Sequence, residues 1–269
     1  MFNLVKCDLK RIVKDKLFLI LCILGVVFAL ITPLLYVLLR DLLELEQDLL
    51  GLITNAKSMF FSSFSLGNNF GLIAPILITI IICKDFSHGT IRNKIICGKS
   101  RTSIFLSYTI SCAISLFSVM LVHALITLGF SLIFFEYQQT PFIAQDLGYL
   151  FSSLAMELVI YIFVSCLISF LCIAMKNAGL AVVIYFAINF FFLIIGSVVM
   201  VALSMTPPTD SAYPILQILD NANLFTSTLI GSGNSYTLSQ VLCVLIPPII
   251  GCSLSITFGI LIFRKKNLK

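Results

Sequence analysis

The chain has 269 residues, of which 59% are hydrophobic and only 11% are charged, and its mean hydropathy is +1.10. A water-soluble domain of this size needs more polar surface than this composition supplies. The composition therefore excludes a soluble enzyme or binding module and predicts an all-α, polytopic membrane protein. The formal net charge of +5 is explained below by membrane topology, so no nucleic-acid partner is expected.

Six hydrophobic runs are predicted to cross the membrane. A hydrocarbon core of roughly 30 Å requires about 20 helical residues. The runs cover residues 17–39, 69–83, 104–135, 148–175, 178–204 and 241–263. An even number of crossings places both termini on the same side.

The basic residues indicate which side that is. Of the 17 Lys and Arg residues, only Arg40 and Lys57 fall on the face opposite the termini. Such an excess over short loops follows the positive-inside rule. We therefore expect a protein of the plasma membrane with both termini in the cytoplasm.

Residues 1–16 are predicted to form an interfacial helix before the first span. Apolar and polar side chains separate onto two helical faces, a pattern typical of a helix lying along a membrane surface. The apolar face comprises Phe2, Val5, Leu9, Ile12 and Val13, and the polar face comprises Lys6, Asp8, Lys10, Arg11, Lys14 and Asp15.

The segment from Lys84 to Arg101, KDFSHGTIRNKIICGKSR, is dense in charge and enclosed by apolar runs. Five Lys/Arg, one Asp and one His among its residues exclude it from the hydrocarbon. Ile91 and Ile95 recur at helical spacing, and Gly89 and Gly98 bracket them. The segment is predicted to form a short amphipathic helix at the membrane surface.

This segment resembles the permease subunits of ABC-2-type ABC transporters. The resemblance rests on Asp85, on Gly89-Thr90, on the helix from Ile91 to Ile96, and on Ser100-Arg101. The family often carries Glu where this chain has Asp85. The resemblance implies a coupling helix that docks in a groove of a separate cytoplasmic ATPase subunit, which would bind ATP and Mg²⁺. It also implies a second permease subunit, identical or paralogous.

The resemblance and the amphipathic pattern together suggest roles for individual residues. Asp85 and Arg92 would form polar contacts with the ATPase, and Ile91 and Ile95 would fill its groove. Lys99 and Arg101 would hold the helix at the anionic lipid surface, each contributing about 1 kcal/mol. The expected coupling set is Asp85, Gly89, Thr90, Ile91, Arg92 and Ile95. The alternative is a solvated basic loop whose charges only fix the topology.

The same segment ends in Gly98-Lys99-Ser100, the last three residues of a phosphate-binding loop. Asn93 stands where that motif requires its first glycine, and a membrane span precedes it instead of a buried strand. No nucleotide site, catalytic site, metal site or cofactor is therefore predicted in this chain.

Three polar residues within the spans are candidates for a pathway or a helix interface. Hydrogen-bonded packing is favoured for His123. Glu157 is expected near the outer interface, where its carboxyl would snorkel, pair with a polar group or contact substrate. Asn189 lies near the midplane and would line the pathway or bond a neighbouring helix.

The last third of the chain contains two further features. Residues 205–240 hold the apolar patches PILQIL and ANLFTSTLI, which are too short to cross the bilayer. They predict re-entrant outer helices or an ordinary outer loop. Small residues at Gly251, Ser255 and Gly259 predict a helix face that packs closely on a neighbour.

The combined pattern favours the transmembrane subunit of an ABC exporter for an amphipathic or hydrophobic cargo, such as a peptide antibiotic or toxin. The alternative is an ATP-independent secondary transporter or channel, which would need coupling-ion sites near the midplane. An intramembrane enzyme has little support, because His123 and Glu157 are the only ionisable side chains placed well inside apolar runs.

Overall fold

A computed structural model of the chain describes residues 1–43, 55–87, 89–138, 142–175, 177–224 and 237–265. Within these ranges the regular secondary structure is entirely helical, which confirms the all-α class. The helices are α1 (Phe2–Lys14), α2 (Lys16–Leu43), α3 (Ala56–Ser62), α4 (Asn69–Ser87), α5 (Thr90–Ile96), α6 (Arg101–Ser131), α7 (Ala144–Met175), α8 (Ala178–Met205), α9 (Tyr213–Ala222) and α10 (Leu238–Lys265).

Five of the described helices are long and apolar enough to cross a membrane, namely α2, α6, α7, α8 and α10. The predicted second span, 69–83, lies in α4, which reaches that threshold only together with α5. The two helices meet at a bend of 53°. The apolar run of α4 is short because Lys84 and Asp85 end it.

Helices α6 and α7 form the centre of the bundle. Buried residues make up 50% of the most apolar part of α6 and 56% of that of α7, against 22% for α2 and 17% each for α8 and α10. The largest interface joins α7 to α10, while α6 contacts α2, α7 and α10. The peripheral helices therefore present apolar side chains outward, as expected for surfaces that meet lipid or another membrane subunit.

The small-residue face of α10 packs inside this chain, which confirms the predicted close approach. A Cβ atom added at Gly251 would lie 2.2 Å from the Phe163 ring of α7. One added at Gly259 would lie 2.5 Å from the Phe105 ring of α6. These two glycines let α10 lie directly against the aromatic rings of the central pair.

The predicted outer segment 205–240 is helical in part. PILQIL lies in α9, a helix with no buried residue that contacts α8 and α10. After it, the Asn223 amide donates a hydrogen bond to the Phe192 carbonyl of α8 at 2.9 Å. Residues 225–236, which include most of ANLFTSTLI, lie outside the described residues.

The bundle has two distinguishable ends. At the first, the Arg101 guanidinium donates hydrogen bonds to the carbonyls of Phe263 (2.8 Å) and Arg264 (2.9 Å), joining the start of α6 to the end of α10. Helix α1 packs beside them on α6. We call this the basic end. At the opposite end, the backbone N–H groups of Ala56 and Lys57 donate to the carbonyls of Glu136 and Tyr137, each at 3.0 Å.

Candidate functional site

Helix α1 buries a carboxylate among apolar side chains, although the amphipathic prediction assigned that carboxylate to its polar face. Its buried residues are Leu4, Asp8 and Ile12, whereas Phe2 is 83% exposed and Val13 is 58% exposed. Only Ile12 of the predicted apolar face is fully buried. The prediction was wrong for Asp8 because it assigned charged side chains to water, and this carboxylate has a cationic partner inside the fold.

That partner is Lys94 of α5. The Lys94 ammonium forms an ion pair with the Asp8 carboxylate, and the two side chains are 11% and 2% exposed. The Ser107 hydroxyl of α6 also donates to the Asp8 carboxylate at 2.6 Å. Lys94 donates a further hydrogen bond to the Tyr108 hydroxyl at 3.0 Å. The buried charges are thus compensated and hydrogen-bonded, as burial in a protein requires.

The Tyr108 hydroxyl links this pair to a second one. While it accepts from Lys94, it donates its own proton to the Asp85 carboxylate at the end of α4. Asp85 also forms an ion pair with Arg11 of α1. Its side chain is only 5% exposed, so Asp85 is held by two partners within this chain.

A third ion pair joins the α1–α2 connection to α4. The Lys84 ammonium lies 2.9 Å and 2.8 Å from the two carboxylate oxygens of Asp15. The backbone N–H of Leu17 donates to the same carboxylate at 2.9 Å. Burial raises the pKa of Asp15, but the hydrogen bonds from Lys84 and Leu17 outweigh it and lower the pKa below its ordinary value.

These contacts form a single charged junction among four helices. We define the charged junction as Asp8, Arg11, Asp15, Lys84, Asp85, Lys94 and Tyr108. A helix as short as α5 has little intrinsic stability in water. Its position is therefore set by the junction and by Ile91, which is buried in the core at 2% exposure.

Two residues of the expected coupling set already have contacts within the chain. Asp85 and Ile91 are buried in contacts with their own chain, so in this arrangement neither side chain is available to a partner's groove. Arg92 lies exposed and Ile95 is half-buried. The predicted turn into the helix is present, since Gly89 has φ +69°, a left-handed conformation that favours glycine. Thr90 begins α5 directly after it.

The outward face of α5 is the part of this helix that remains accessible to another molecule. Ile96 is 73% exposed, so this chain leaves part of the predicted apolar stripe of α5 uncovered. Lys99 is exposed, as a lipid-surface role would require. Arg101 differs from its predicted lipid role because its guanidinium caps the carbonyl end of α10. The exposed residues of this face are Arg92, Asn93 and Ile96.

Residues 44–268 match a protein family described as protein of unknown function (DUF2705). The chain belongs to the DUF2705 family. The matched region contains α3 to α10, and so it includes the partners of the charged junction on α4, α5 and α6. Asp8, Arg11 and Asp15 precede it. A comparison with curated proteins finds no match.

Two of the three intramembrane candidates of this DUF2705 chain, His123 and Asn189, bond backbone carbonyls of different helices. His123 is 3% exposed, its Nδ1 lies 2.8 Å from the Gly25 carbonyl, and its ring packs on Phe70 with 4.5 Å between centroids. These contacts agree with the packing role favoured by the sequence. The Asn189 amide donates to the Tyr185 carbonyl of its own helix at 2.9 Å, a bond within α8.

Glu157, for which the sequence left snorkelling, pairing with a polar group and substrate contact open, lies buried inside the bundle. It is only 4% exposed, and its Oε2 atom is buried without a hydrogen-bond partner among the described residues of the DUF2705 chain. An unpaired carboxylate is costly in such surroundings. This carboxyl is therefore a candidate for proton uptake or for a partner that arrives in another conformation.

A cavity of about 370 Å³ lies between α2, the α3–α4 connection and α8. Sequence analysis of the DUF2705 chain missed it because its lining comes from three separate segments. A single Ser or Thr on an apolar span resembles ordinary helix packing. The cluster SSFSLGNN before α4 was the available signal. The polar lining residues are Thr32, Tyr36, Ser62, Ser65, Asn68 and Ser197.

Proposed function

We propose that this chain is the transmembrane permease subunit of an ATP-driven ABC exporter. A separate cytoplasmic ATPase would dock on the outward face of α5. The observation that carries the proposal is the position of α5 itself. It is a short helix at the basic end, it connects α4 to α6, and the buried Lys94–Asp8 ion pair holds it while one face stays exposed.

The charged junction supplies a physical route for coupling. An ATPase that moved α5 would also pull on α1 through Asp8 and on α6 through Tyr108, because Lys94 contacts both. Closely packed interiors transmit such displacements with little compression. Helix α6 contacts α2, α7 and α10, so the motion would reach most of the bundle. Asp85 and Ile91 would act as internal links in this scheme.

The contacts at the two ends support a six-span layout. Ala56 lies at the opposite end, whereas Lys84 and Asp85 lie at the basic end. The intervening helix α4 therefore runs from one end to the other, which supports its role as the second span despite its length. The excess of Lys and Arg at the basic end supports a cytoplasmic location for that end and for both termini.

A second permease subunit would complete the pathway. The peripheral helices α2, α8 and α10 present extensive apolar surface, which is suited to a membrane partner, to lipid or to an amphipathic cargo. A peptide antibiotic or toxin is the cargo class that we propose. The chain itself would bind no cofactor, because ATP and Mg²⁺ would be held by the ATPase.

One observation favours the second candidate function, an ATP-independent secondary transporter. Glu157 is a buried carboxyl in a membrane helix with an unpartnered oxygen among the described residues. Such a group could bind and release a proton during transport. A proton-driven transporter would require Glu157 and would work without an ATPase.

The proposal can be tested by co-purification of this chain with the candidate ABC ATPases of its own genome, in lipid nanodiscs. Wild type should recover the ATPase and raise its turnover. Arg92→Ala should lower recovery, because it removes an exposed cation from the docking face. Lys99→Ala is the matched control, since it removes a cation beyond the helix end and should retain recovery. Asp85→Asn should retain recovery but lose the stimulation of turnover.

The outcomes separate the two candidate functions. Failure of the wild-type chain to bind any ATPase would overturn the exporter proposal. Glu157→Gln then becomes the informative variant, since a proton-driven transporter should lose transport when this carboxyl cannot ionise. If the Glu157→Gln variant still recovers the ATPase and raises its turnover, the result would instead favour the exporter.

A further inference from the structure

The cavity between α2, the α3–α4 connection and α8 has the size of a ligand site. Its volume is about 370 Å³, within the range of about 300–1,000 Å³ that is usual for small-molecule pockets. It is lined by both polar and apolar side chains. The inference that follows rests on the proposed export function, for which it identifies a cargo-binding chemistry.

Three hydroxyl groups in the cavity have already used their only proton. Thr32 donates to the Phe28 carbonyl at 2.9 Å. Ser62 donates to the Met59 carbonyl at 3.0 Å, and Ser197 donates to the Leu193 carbonyl at 2.9 Å. A hydroxyl has one donor and two acceptor lone pairs. These three oxygens therefore present acceptors to anything that enters, and they favour a ligand with N–H or O–H donors.

Two other hydroxyls have no acceptor among the described residues, and each therefore has a proton to donate. Ser65 accepts a hydrogen bond from the Gly67 N–H at 3.3 Å, which leaves its own O–H available. The Tyr36 phenol, on the same helix as Thr32, also lines the cavity. The cavity thus offers acceptors and donors side by side. A peptide amide has the matching pair of groups, an N–H donor and a carbonyl acceptor.

The charge of the ligand follows from the lining. The described residues around the cavity include no Asp, Glu, Lys, Arg or His. A charged ligand group would lose its hydration without gaining a counter-charge, which is unfavourable. Leu193 and Met200 supply apolar surface beside the hydroxyls. The ligand should therefore combine neutral hydrogen-bonding groups with apolar side chains.

We propose that this cavity binds the backbone amide of an uncharged, apolar peptide, with Thr32 and Ser197 accepting its N–H and with Tyr36 donating to its carbonyl. Thr32 and Ser197 lie on α2 and α8, so a bound peptide would contact both of these peripheral helices. The cavity and the coupling face are separate surfaces of the chain.

The absence of Trp from the sequence makes a direct binding assay possible. The probe is N-acetyl-leucyl-tryptophanamide, titrated against the purified full-length chain in nanodiscs without an ATPase, with empty nanodiscs as baseline. Its indole emission should shift on binding. Thr32→Val/Ser197→Ala should weaken binding about tenfold or more, because two hydrogen-bond acceptors are removed.

A matched control is available on α8. Ser204 is exposed outside the cavity, and its hydroxyl donates to the Val201 carbonyl at 2.7 Å, much like that of Ser197. Ser204→Ala should bind the probe as wild type does. Tyr36→Phe is a second test of the cavity that changes only the phenol, and it should also weaken binding.

Two altered probes test whether the cavity recognises the amide N–H and the neutral charge of the ligand. Replacing the leucyl–tryptophan N–H by an ester oxygen should weaken binding to wild type but have little further effect on Thr32→Val/Ser197→Ala. Leaving the amino terminus unacetylated should weaken binding because it adds a charge. Binding that is equal in wild type and both cavity variants, or no greater than to empty nanodiscs, would overturn the proposal. Neither result depends on the ATPase, so this failure is distinct from failure of the export function.

Discussion

The charged junction and the hydroxyl-lined cavity are two polar regions of one bundle, and they differ in how their polar groups are bonded. The junction brings Asp8, Lys94, Asp85 and Arg11 together with a tyrosine between them. The cavity is lined by neutral hydroxyls and an amide, and most of the hydroxyl protons are bound to the helix backbone. Both regions are polar, yet only the junction holds its polar groups in fixed pairs.

The difference shows how charge and neutral polarity are used in a membrane protein. A buried ion pair is highly sensitive to the loss of one partner, so it fixes two elements relative to each other. A hydroxyl that is bonded to its own helix needs no external partner, so a ligand can enter and leave without exposing an unpaired group. The junction is suited to transmitting motion, and the cavity is suited to reversible binding.

The largest effect is expected from breaking one ion pair of the junction. Asp8→Asn or Lys94→Met alone should lower the free energy of unfolding by about 3–5 kcal/mol, because the remaining charge is left buried and unpaired. Asp8→Asn/Lys94→Met together should recover most of that loss. Titration with SDS in mixed micelles measures all three values.

The cavity provides the contrasting control. Thr32→Val/Ser197→Ala should change the free energy of unfolding by less than about 1 kcal/mol, because each hydroxyl removed takes only a local helix bond with it. If the junction and cavity variants destabilised the protein equally, the distinction between fixed and free polar groups would fail. Lys99→Met, which removes an exposed charge, should leave stability unchanged.

A smaller effect is expected at the turn into α5. Gly89 has φ +69°, and a Cβ placed there would meet nothing within 4 Å. Gly89→Ala should therefore destabilise the fold by about 1 kcal/mol through backbone strain alone. Gly129→Ala is the matched control, because Gly129 lies inside α6 with equally open space. At Gly129, alanine should leave the free energy of unfolding unchanged or raise it. A decrease at both glycines would contradict the explanation by backbone strain.

The smallest effect is a pH dependence that the Asp15–Lys84 pair contributes at the basic end. The pKa of Asp15 is lowered in the folded state, so its contribution to stability is fully present above about pH 4 and is lost as the pH falls through the lowered value. The pair with Lys84 is partly exposed, so the contribution should be below about 1 kcal/mol. The difference in unfolding free energy between wild type and Asp15→Asn should disappear in acid.

The hydroxyl-lined cavity should show no such dependence. The only titratable side chain that lines it among the described residues is the Tyr36 phenol, and phenols ionise near pH 10. Binding of N-acetyl-leucyl-tryptophanamide should therefore be constant between pH 5 and pH 8. A loss of binding over that range would show that a charged group reaches the cavity.

Much of the fold follows from local sequence patterns. Long apolar runs determined the all-helical membrane class, because a helix satisfies its own backbone hydrogen bonds in hydrocarbon. Gly89 and Gly98 marked the ends of α5, since both have positive φ. Gly251 and Gly259 marked a face of close packing. Each of these features depends on residues within a single segment, which is why the sequence alone determined them.

The tertiary structure decided which polar groups meet. Asp8 and Lys94 are 86 residues apart in sequence, and the helical pattern of residues 1–16 placed Asp8 in water because it carried no information about α5. Thr32 and Ser197 lie on helices from opposite halves of the chain, so nothing local indicated that they line one cavity. A side chain's hydration or burial depends on partners that other segments bring, and only the packed bundle specifies those partners.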